Sequence, residues 1–271
     1  MKTAVIMGGN SGIGKATAKI LATKGYKIII HGRDEQKTKA AVTEIKANGN
    51  SSIDFVTGDL SSIAGMKKVA AEIQNKTDVI DALVLSTGVI LPTRVETADG
   101  MEAAFTTQYL CRFAMVQMLS PQLKKANLAH IVSVGAPTLK KAKIHFDDLS
   151  LKNNFSMMNS MGQCMLANHM MVQEFAKRNK GSNLCMNIFH VGVAKTGVGR
   201  EMNFFLRTLI SMFGASPDKA CANAVFLADD SEANFSGYFL TKPGKPQVKE
   251  QISFDAAATE QLWNVSAGLI K

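Results

Sequence analysis

The stretch MGGNSGIGKATAKIL, residues 7–21, holds the first residues whose spacing suggests chemistry. Gly8, Gly12 and Gly14 stand where a short apolar run, Thr3–Met7, gives way to residues of helical period, Lys15–Lys24. Glycines at such a junction let a strand turn sharply into a helix. They also let backbone N–H groups approach an anion at the positive end of that helix, the arrangement that holds a dinucleotide pyrophosphate. A glycine turn alone is a weak signal; its place after a strand and before a helix gives it meaning. The end of the next apolar run, IIIHGRDEQ, then discriminates between dinucleotides. A free ribose 2′-hydroxyl is usually held here by a carboxylate and a 2′-phosphate by a guanidinium, so Gly32 followed by Arg33 favours NADP(H) over NAD(H). The alternative makes Arg33 a solvated loop residue and Asp34 only a cap for the following helix.

A second stretch, MGQCMLANHMM, residues 161–171, has helical spacing, and Met161 and Met165 place two thioethers on one face where a functional site would want titratable groups. A thioether has no acidic proton and is only a weak acceptor. Six methionines fall between Met157 and Met171. They read either as adaptable core filling or as a soft apolar wall against a flat or irregular ligand.

The elements that must position these residues alternate along the chain. Strand-like runs occur at Thr3–Met7, Lys27–His31, Ile53–Thr57, Ala82–Leu85, His130–Val134 and Leu184–His190. Between them lie segments of helical period at Lys15–Lys24, Gln36–Asn48, Met66–Gln74, Met101–Met118 and Met161–Lys177. The strands are continuous apolar runs, as in a parallel sheet buried on both faces, and such a sheet binds ligands beyond the carboxyl ends of its strands. With 271 residues and no linker or repeat, the chain is expected to be one dinucleotide-binding α/β domain over 1–271.

Composition excludes less than it bounds. The net charge of +9 is spread over scattered lysine pairs without interleaved aromatics, which argues against a nucleic-acid groove and suits a phosphate-bearing ligand. Cys111, Cys164, Cys185 and Cys221 lack C-x-x-C spacing, so buried reduced thiols are expected and no metal site. The start runs straight into the glycine turn and no apolar run reaches bilayer length, so neither signal peptide nor transmembrane segment is expected, and cytoplasm is the default compartment.

The glycine turn, Arg33, GDLSS with Asp59 and Leu60, TADGMEAAFTTQYLCRF, HFDDLSL, FHVGVAKTG and SPDKACANAVFLADD…FSGYFL fall in order along nearly the whole chain. In them the sequence resembles the short-chain dehydrogenase/reductase superfamily, in its retinol-dehydrogenase-like and protochlorophyllide-reductase-like branch. The resemblance implies a Rossmann-type doubly wound parallel sheet of about seven strands with helices on both faces. It puts Ser11 and Ile13 near the phosphates, Asp59 near the adenine and Thr196 near the nicotinamide carboxamide, with Leu60 among the cofactor-binding residues. The family's N-N-A-G after the fourth strand reads LSTG here, with Ser86 in place of its second Asn and Gly88 kept. The family's catalytic Asn, Ser, Tyr and Lys align with Gln108, Ala136, Met161 and Met165. No one-residue slip restores the pair, since the tyrosines are Tyr26, Tyr109 and Tyr238 and no lysine lies between Lys152 and Lys177.

Two classes of function follow. One is an atypical NADPH-dependent reductase that transfers hydride to a small apolar, activated carbonyl or conjugated acceptor, its proton coming from water, the substrate or a substitute such as Tyr109, Cys164, His145 or His190. The other is a catalytically inactive sensor or scaffold that binds NADP(H) or an apolar ligand without turnover. Residues 199–215, within REMNFFLRTLISMF and its flanks, resemble the family's substrate lid. The apolar faces of Met101–Met118 and Met161–Lys177 would suit a homodimer.

Overall fold

The computed structural model describes residues 1–47, 52–192 and 215–271. Strands β1 (Thr3–Met7), β2 (Lys27–Gly32), β3 (Ile53–Thr57), β4 (Ala82–Leu85), β5 (Ala129–Gly135), β6 (Leu184–His190), β7 (Tyr238–Leu240) and β8 (Lys249–Gln251) form one sheet in the order β3-β2-β1-β4-β5-β6-β7-β8. The first seven strands run parallel; β8 pairs antiparallel to β7, Tyr238 opposite Gln251. Every residue of β1 and β4 is buried, which is why these strands carry no polar alternation.

The order reverses at β1. The chain winds outward through β2 and β3, then crosses back to place β4 on the other side of β1, and the two halves part beyond the carboxyl ends of β1 and β4. Sequence reasoning predicts about seven strands, and the described residues form eight. The extra one, β8, is a three-residue Lys-Glu-Gln edge, fully exposed, so it shows no hydrophobic period and blunts the sheet's open margin with charge.

Helices cover both faces. On one, α1 (Gly12–Thr23) and α2 (Glu35–Lys46) pack with Ile6, Ile28, Ile30 and Val84. On the other, α3 (Ile63–Lys76), α5 (Cys111–Met118) and α7 (Met157–Arg178) pack with Val5, Ile29, Leu83 and Ile131. The segment predicted as one helix over 101–118 is instead a short α4 (Ala103–Phe105), a π turn (Thr106–Leu110) and α5. Past α6 (Ser120–Lys124), the chain closes through α8 (Pro217–Ala220), α9 (Ala222–Asp229) and α10 (Ala256–Leu269), whose Trp263 stacks edge-on to Phe113 at 4.9 Å. No helix among the described residues is long and apolar enough to cross a membrane.

Candidate active site

The glycine turn is held from both sides. Gly9 N donates to His31 O at 2.9 Å, and Ser86 donates to Met7 O through its N at 3.0 Å and its Oγ at 2.7 Å. Gly8 and Gly12 have φ of 78° and 52°, left-handed values that glycine alone adopts readily. A Cβ on Gly14 would lie 2.4 Å from Gly8 O and 2.5 Å from Ser86 Oγ, so the start of α1 sits directly on the turn. Ser11, the N-cap of α1, makes no side-chain bond to the first turn, which also carries no acid. The amides at this positive helix end therefore remain for an outside anion, and the turn fits a dinucleotide phosphate.

The other residues expected near a dinucleotide distribute around this turn. Arg33 follows β2 and is exposed, with no ion pair among the described residues. Asp34 is occupied as the N-cap of α2, accepting Lys37 N at 3.0 Å, an exposed carboxylate held low chiefly by that bond. Asp59, beyond β3, is exposed and accepts Ser61 N at 2.9 Å and Ser61 Oγ at 2.8 Å. Leu60 and Ile13 turn their side chains into the two cores, leaving only backbone to face a ligand. Ser86 points back at the turn rather than outward. Thr196 and residues 199–214 of the expected lid lie outside the described residues.

The structure brings the remaining residues together at the carboxyl ends of β4 and β5. Gly88 abuts Gln108: a Cβ there would lie 2.9 Å from Gln108 Cγ. Gln108 sits in the π turn, its Nε2 donating to Val89 O at 2.5 Å and its backbone O accepting Asn168 Nδ2 at 2.9 Å. Ala136 follows β5, with His169 Nε2 3.0 Å from its carbonyl oxygen. Met161 and Met165 are half-buried on α7, whereas Met170 and Met171 are core, so core filling accounts for the latter pair. The 139–142 turn packs on α7 between Met161 and Met165, where a Cβ on Gly162 would meet Ala142 and Leu139 at 3.4 and 3.5 Å.

The substitute proton donors fare unequally. Tyr109 is fully buried, 2.7 Å from Ser266 Oγ, and burial pushes its phenol far up. Cys164 is buried in the same way and its thiol is pushed up by burial and by Glu102. Neither reaches the cleft. His145, before a single 3-10 turn, and His190, with Nδ1 3.2 Å from Thr241 O, stay partly exposed. All four cysteines are buried free thiols, and no described group of three His, Cys, Asp or Glu is placed to hold a metal.

A model of the family described as short chain dehydrogenase matches residues 2–147. The chain belongs to that family. Retinol dehydrogenase 12 of Mus musculus is 30% identical over 279 residues, spanning 99% of this chain and 86% of its own length. Retinol dehydrogenase 13 of Homo sapiens is 29% identical over 285 residues, spanning 99% and 84%. Among solved structures, a 3-oxoacyl (acyl-carrier-protein) reductase of Agrobacterium tumefaciens with NADP bound has a TM-score of 0.71 at 20% identity, covering 90% of this chain and 93% of that one. The Pseudomonas aeruginosa RhlG/NADP active-site complex has a TM-score of 0.72 at 21% identity, covering 90% and 96%. The fold is thus the Rossmann-like one of this family, whose members use nicotinamide cofactors.

Sequence reasoning missed two residues that organise this short-chain dehydrogenase site. Arg112, 6% exposed, donates through Nη1 to Val134 O at 2.6 Å, Ser133 Oγ at 3.1 Å and Asn168 Oδ1 at 3.3 Å, and through Nε and Nη2 to Thr87 O. Glu102, fully buried, caps α4 by accepting Ala104 N and Phe105 N at 2.9 and 2.7 Å and takes Ser160 Oγ of α7 at 3.2 Å. A lone arginine inside LCRFAM, at a core position of an apolar helix, was the available signal for the first.

Proposed function

We propose that this protein is an NADP(H)-binding short-chain reductase that acts on a small apolar, activated carbonyl or conjugated acceptor without a tyrosine–lysine pair to deliver the proton. One contrast carries the reading: the glycine turn suits a phosphate, down to the Gly8–Gly14–Ser86 contact, while α7 carries the thioethers of Met161 and Met165, both half-buried, where the resemblance expects a tyrosine and a lysine. The retinol dehydrogenase names of its relatives and the NADP of two solved neighbours are consistent with it.

Bound NADPH supplies the hydride. The α1 amides at Gly12, Ile13 and Gly14, with Ser11 and Gly8, hold the pyrophosphate. Arg33 meets the 2′-phosphate, and Asp34, engaged with Lys37 N, leaves that position to the guanidinium. By the family resemblance, Asp59 and Leu60 would border the adenine and Ser86 and Gly88 the nicotinamide; Thr196, expected beside the carboxamide, lies outside the described residues. Gln108, Ala136, Met161 and Met165 occupy the positions of the family's Asn, Ser, Tyr and Lys. None of these four carries a proton it can release, so the proton reaches the acceptor oxygen from water, from the substrate or from a substitute side chain such as the partly exposed His145 or His190. Losing a general acid costs about 10²- to 10⁴-fold, on the order of 3 to 5 kcal/mol, which an acceptor that delocalises its new negative charge tolerates. The half-buried thioethers then serve as an apolar wall.

A second reading, a sensor or scaffold that binds NADP(H) without turnover, is favoured by the burial of Tyr109 and Cys164 away from the cleft. Stopped-flow absorbance of bound NADPH against ketones, enones and quinones separates the two. Oxidation with at least one conjugated acceptor is expected; stoichiometric binding with no oxidation by any of them transfers the case to the sensor, and no binding removes both.

A further inference from the structure

Arg112 is a buried cation with no carboxylate in contact with it among the described residues. Its hydrogen-bond acceptors are all neutral: the carbonyls of Thr87 and Val134, the Ser133 hydroxyl and the Asn168 amide. Among the described residues no carboxylate lies within ion-pair distance of it, and the buried acids of this layer are engaged elsewhere. Glu102 accepts two α4 amides and Ser160 Oγ, and Glu174 pairs with Arg178 at 2.7 Å and Lys177 at 3.6 Å. Desolvating an unpaired guanidinium is costly, even with its donors satisfied. The place where that cost is borne is specific. Thr87 immediately precedes Gly88, and Val134 lies two residues before Ala136, so the charge sits beneath the two loops that border the nicotinamide in the function proposed above.

We infer that Arg112 is a positioning residue that also sets which redox form of the cofactor this site prefers, its unpaired charge favouring the reduced, ring-neutral nicotinamide over the oxidised ring cation. The inference rests on the NADP(H) reading. The two forms differ by one positive charge on the ring, so a cation fixed nearby in a poorly screened setting penalises only the oxidised form. At an effective dielectric near 20, a unit charge acting across about 10 Å changes the affinity ratio on the order of tenfold. It also places a cation near any oxygen that gains negative charge, a role the thioether at position 165 does not fill. A purely structural tie between β4, β5 and α7 would use the guanidinium's fork and be indifferent to ring charge.

The test is the ratio of dissociation constants for NADP⁺ and NADPH, measured by calorimetry without turnover. The wild-type protein should bind NADPH on the order of tenfold more tightly. Arg112→Lys keeps the charge and loses the fork, so the ratio should persist while thermal stability falls. Arg112→Gln removes the charge, and the ratio should approach one. Asn168→Asp keeps the guanidinium and supplies a carboxylate where Asn168 Oδ1 now accepts from it at 3.3 Å, so the ratio should again approach one. A wild-type ratio near one overturns the inference without any variant, and so does an unchanged ratio in whichever of Arg112→Gln and Asn168→Asp folds. Failure of the wild-type protein to bind either form removes the NADP(H) reading itself, a different result from equal binding.

Discussion

Gly14→Ala tests the phosphate turn with a single carbon atom. Gly14 lies in the first turn of α1 without a left-handed φ, so alanine suits the backbone and its helix propensity gains about 1 kcal/mol. Space decides against it. The new Cβ would stand 2.4 Å from Gly8 O and 2.5 Å from Ser86 Oγ. The hydroxyl can swing away at the cost of its 2.7 Å bond to Met7 O, but the Gly8 carbonyl is backbone and must move with the turn. Overpacking of this kind costs about 1 to 3 kcal/mol, so the net loss is about 0 to 2 kcal/mol, a fall in Tm of at most several degrees. Gly25→Ala is the matched control: φ is 86°, nothing lies within 4 Å, and the left-handed backbone penalty gives a loss of similar size, about 1 to 2 kcal/mol. NADPH titration by fluorescence, well below both transitions, should then show Gly14→Ala weakened by about tenfold or more and Gly25→Ala unchanged, since displaced amides lose charge-assisted bonds. Wild-type affinity in Gly14→Ala, or equal losses in both, would refute the assignment of the turn to the phosphate.

Arg33→Ala should weaken NADPH by about 1.5 to 3 kcal/mol and leave NADH unchanged, as calorimetry would read; equal affinities of the wild-type protein for both cofactors would count against a 2′-phosphate contact. His31 is buried and its pKa is lowered to about 4, chiefly by desolvation, with Nε2 3.0 Å from Gly58 O. The unfolded chain therefore binds the extra proton in the window from about pH 6.5 down to 4, and stability falls with pH there, by about 2 kcal/mol between pH 7 and pH 5 for this group. Burial lowers His130 and His169 too, which adds slope of the same sign, so denaturant midpoints of His31→Gln should flatten the profile only in part. Ala136→Ser with Met161→Tyr and Met165→Lys should create or raise reduction of simple activated ketones with a titrating pH profile that the native protein lacks, and no gain despite intact NADPH binding would show that more than proton delivery is missing.

The six strands read from the sequence are the six longest to fall in the sheet, and β1, β3, β4 and β6 match to the residue. They were legible because a doubly covered parallel strand has no polar face to blur its apolar run. β7 and β8, three residues each, were too short to carry a period, and β8 is polar throughout. The glycine turn was legible because its constraint is local: a left-handed φ and a close approach admit one residue type. Arg112 was not, because its function depends on what surrounds it. Nothing in LCRFAM distinguishes an arginine that snorkels to solvent from one closed in by Thr87, Val134 and Asn168, which lie 25, 22 and 56 residues away in the chain.

The π turn explains why those distant groups can meet. An unbroken α-helix over 101–118 would give each carbonyl its own i+4 amide; at Thr106–Leu110 the ladder widens, with Cys111 N reaching Thr106 O. Within that widened turn Gln108 makes two bonds to other segments, its side chain to Val89 O and its carbonyl from Asn168 Nδ2, while Arg112 one turn later reaches Thr87 O and Val134 O. Asn168 thus bonds the π turn with its amide nitrogen and the guanidinium with its amide oxygen. A substitution that restores regular α-helical register at Gln108 would have to break at least one of these bonds, so the irregularity and the buried cation belong to one construction at the ends of β4 and β5. The buried cation is thus carried on α5 and held by the backbone carbonyls of Thr87 and Val134 together with the side chains of Ser133 and Asn168.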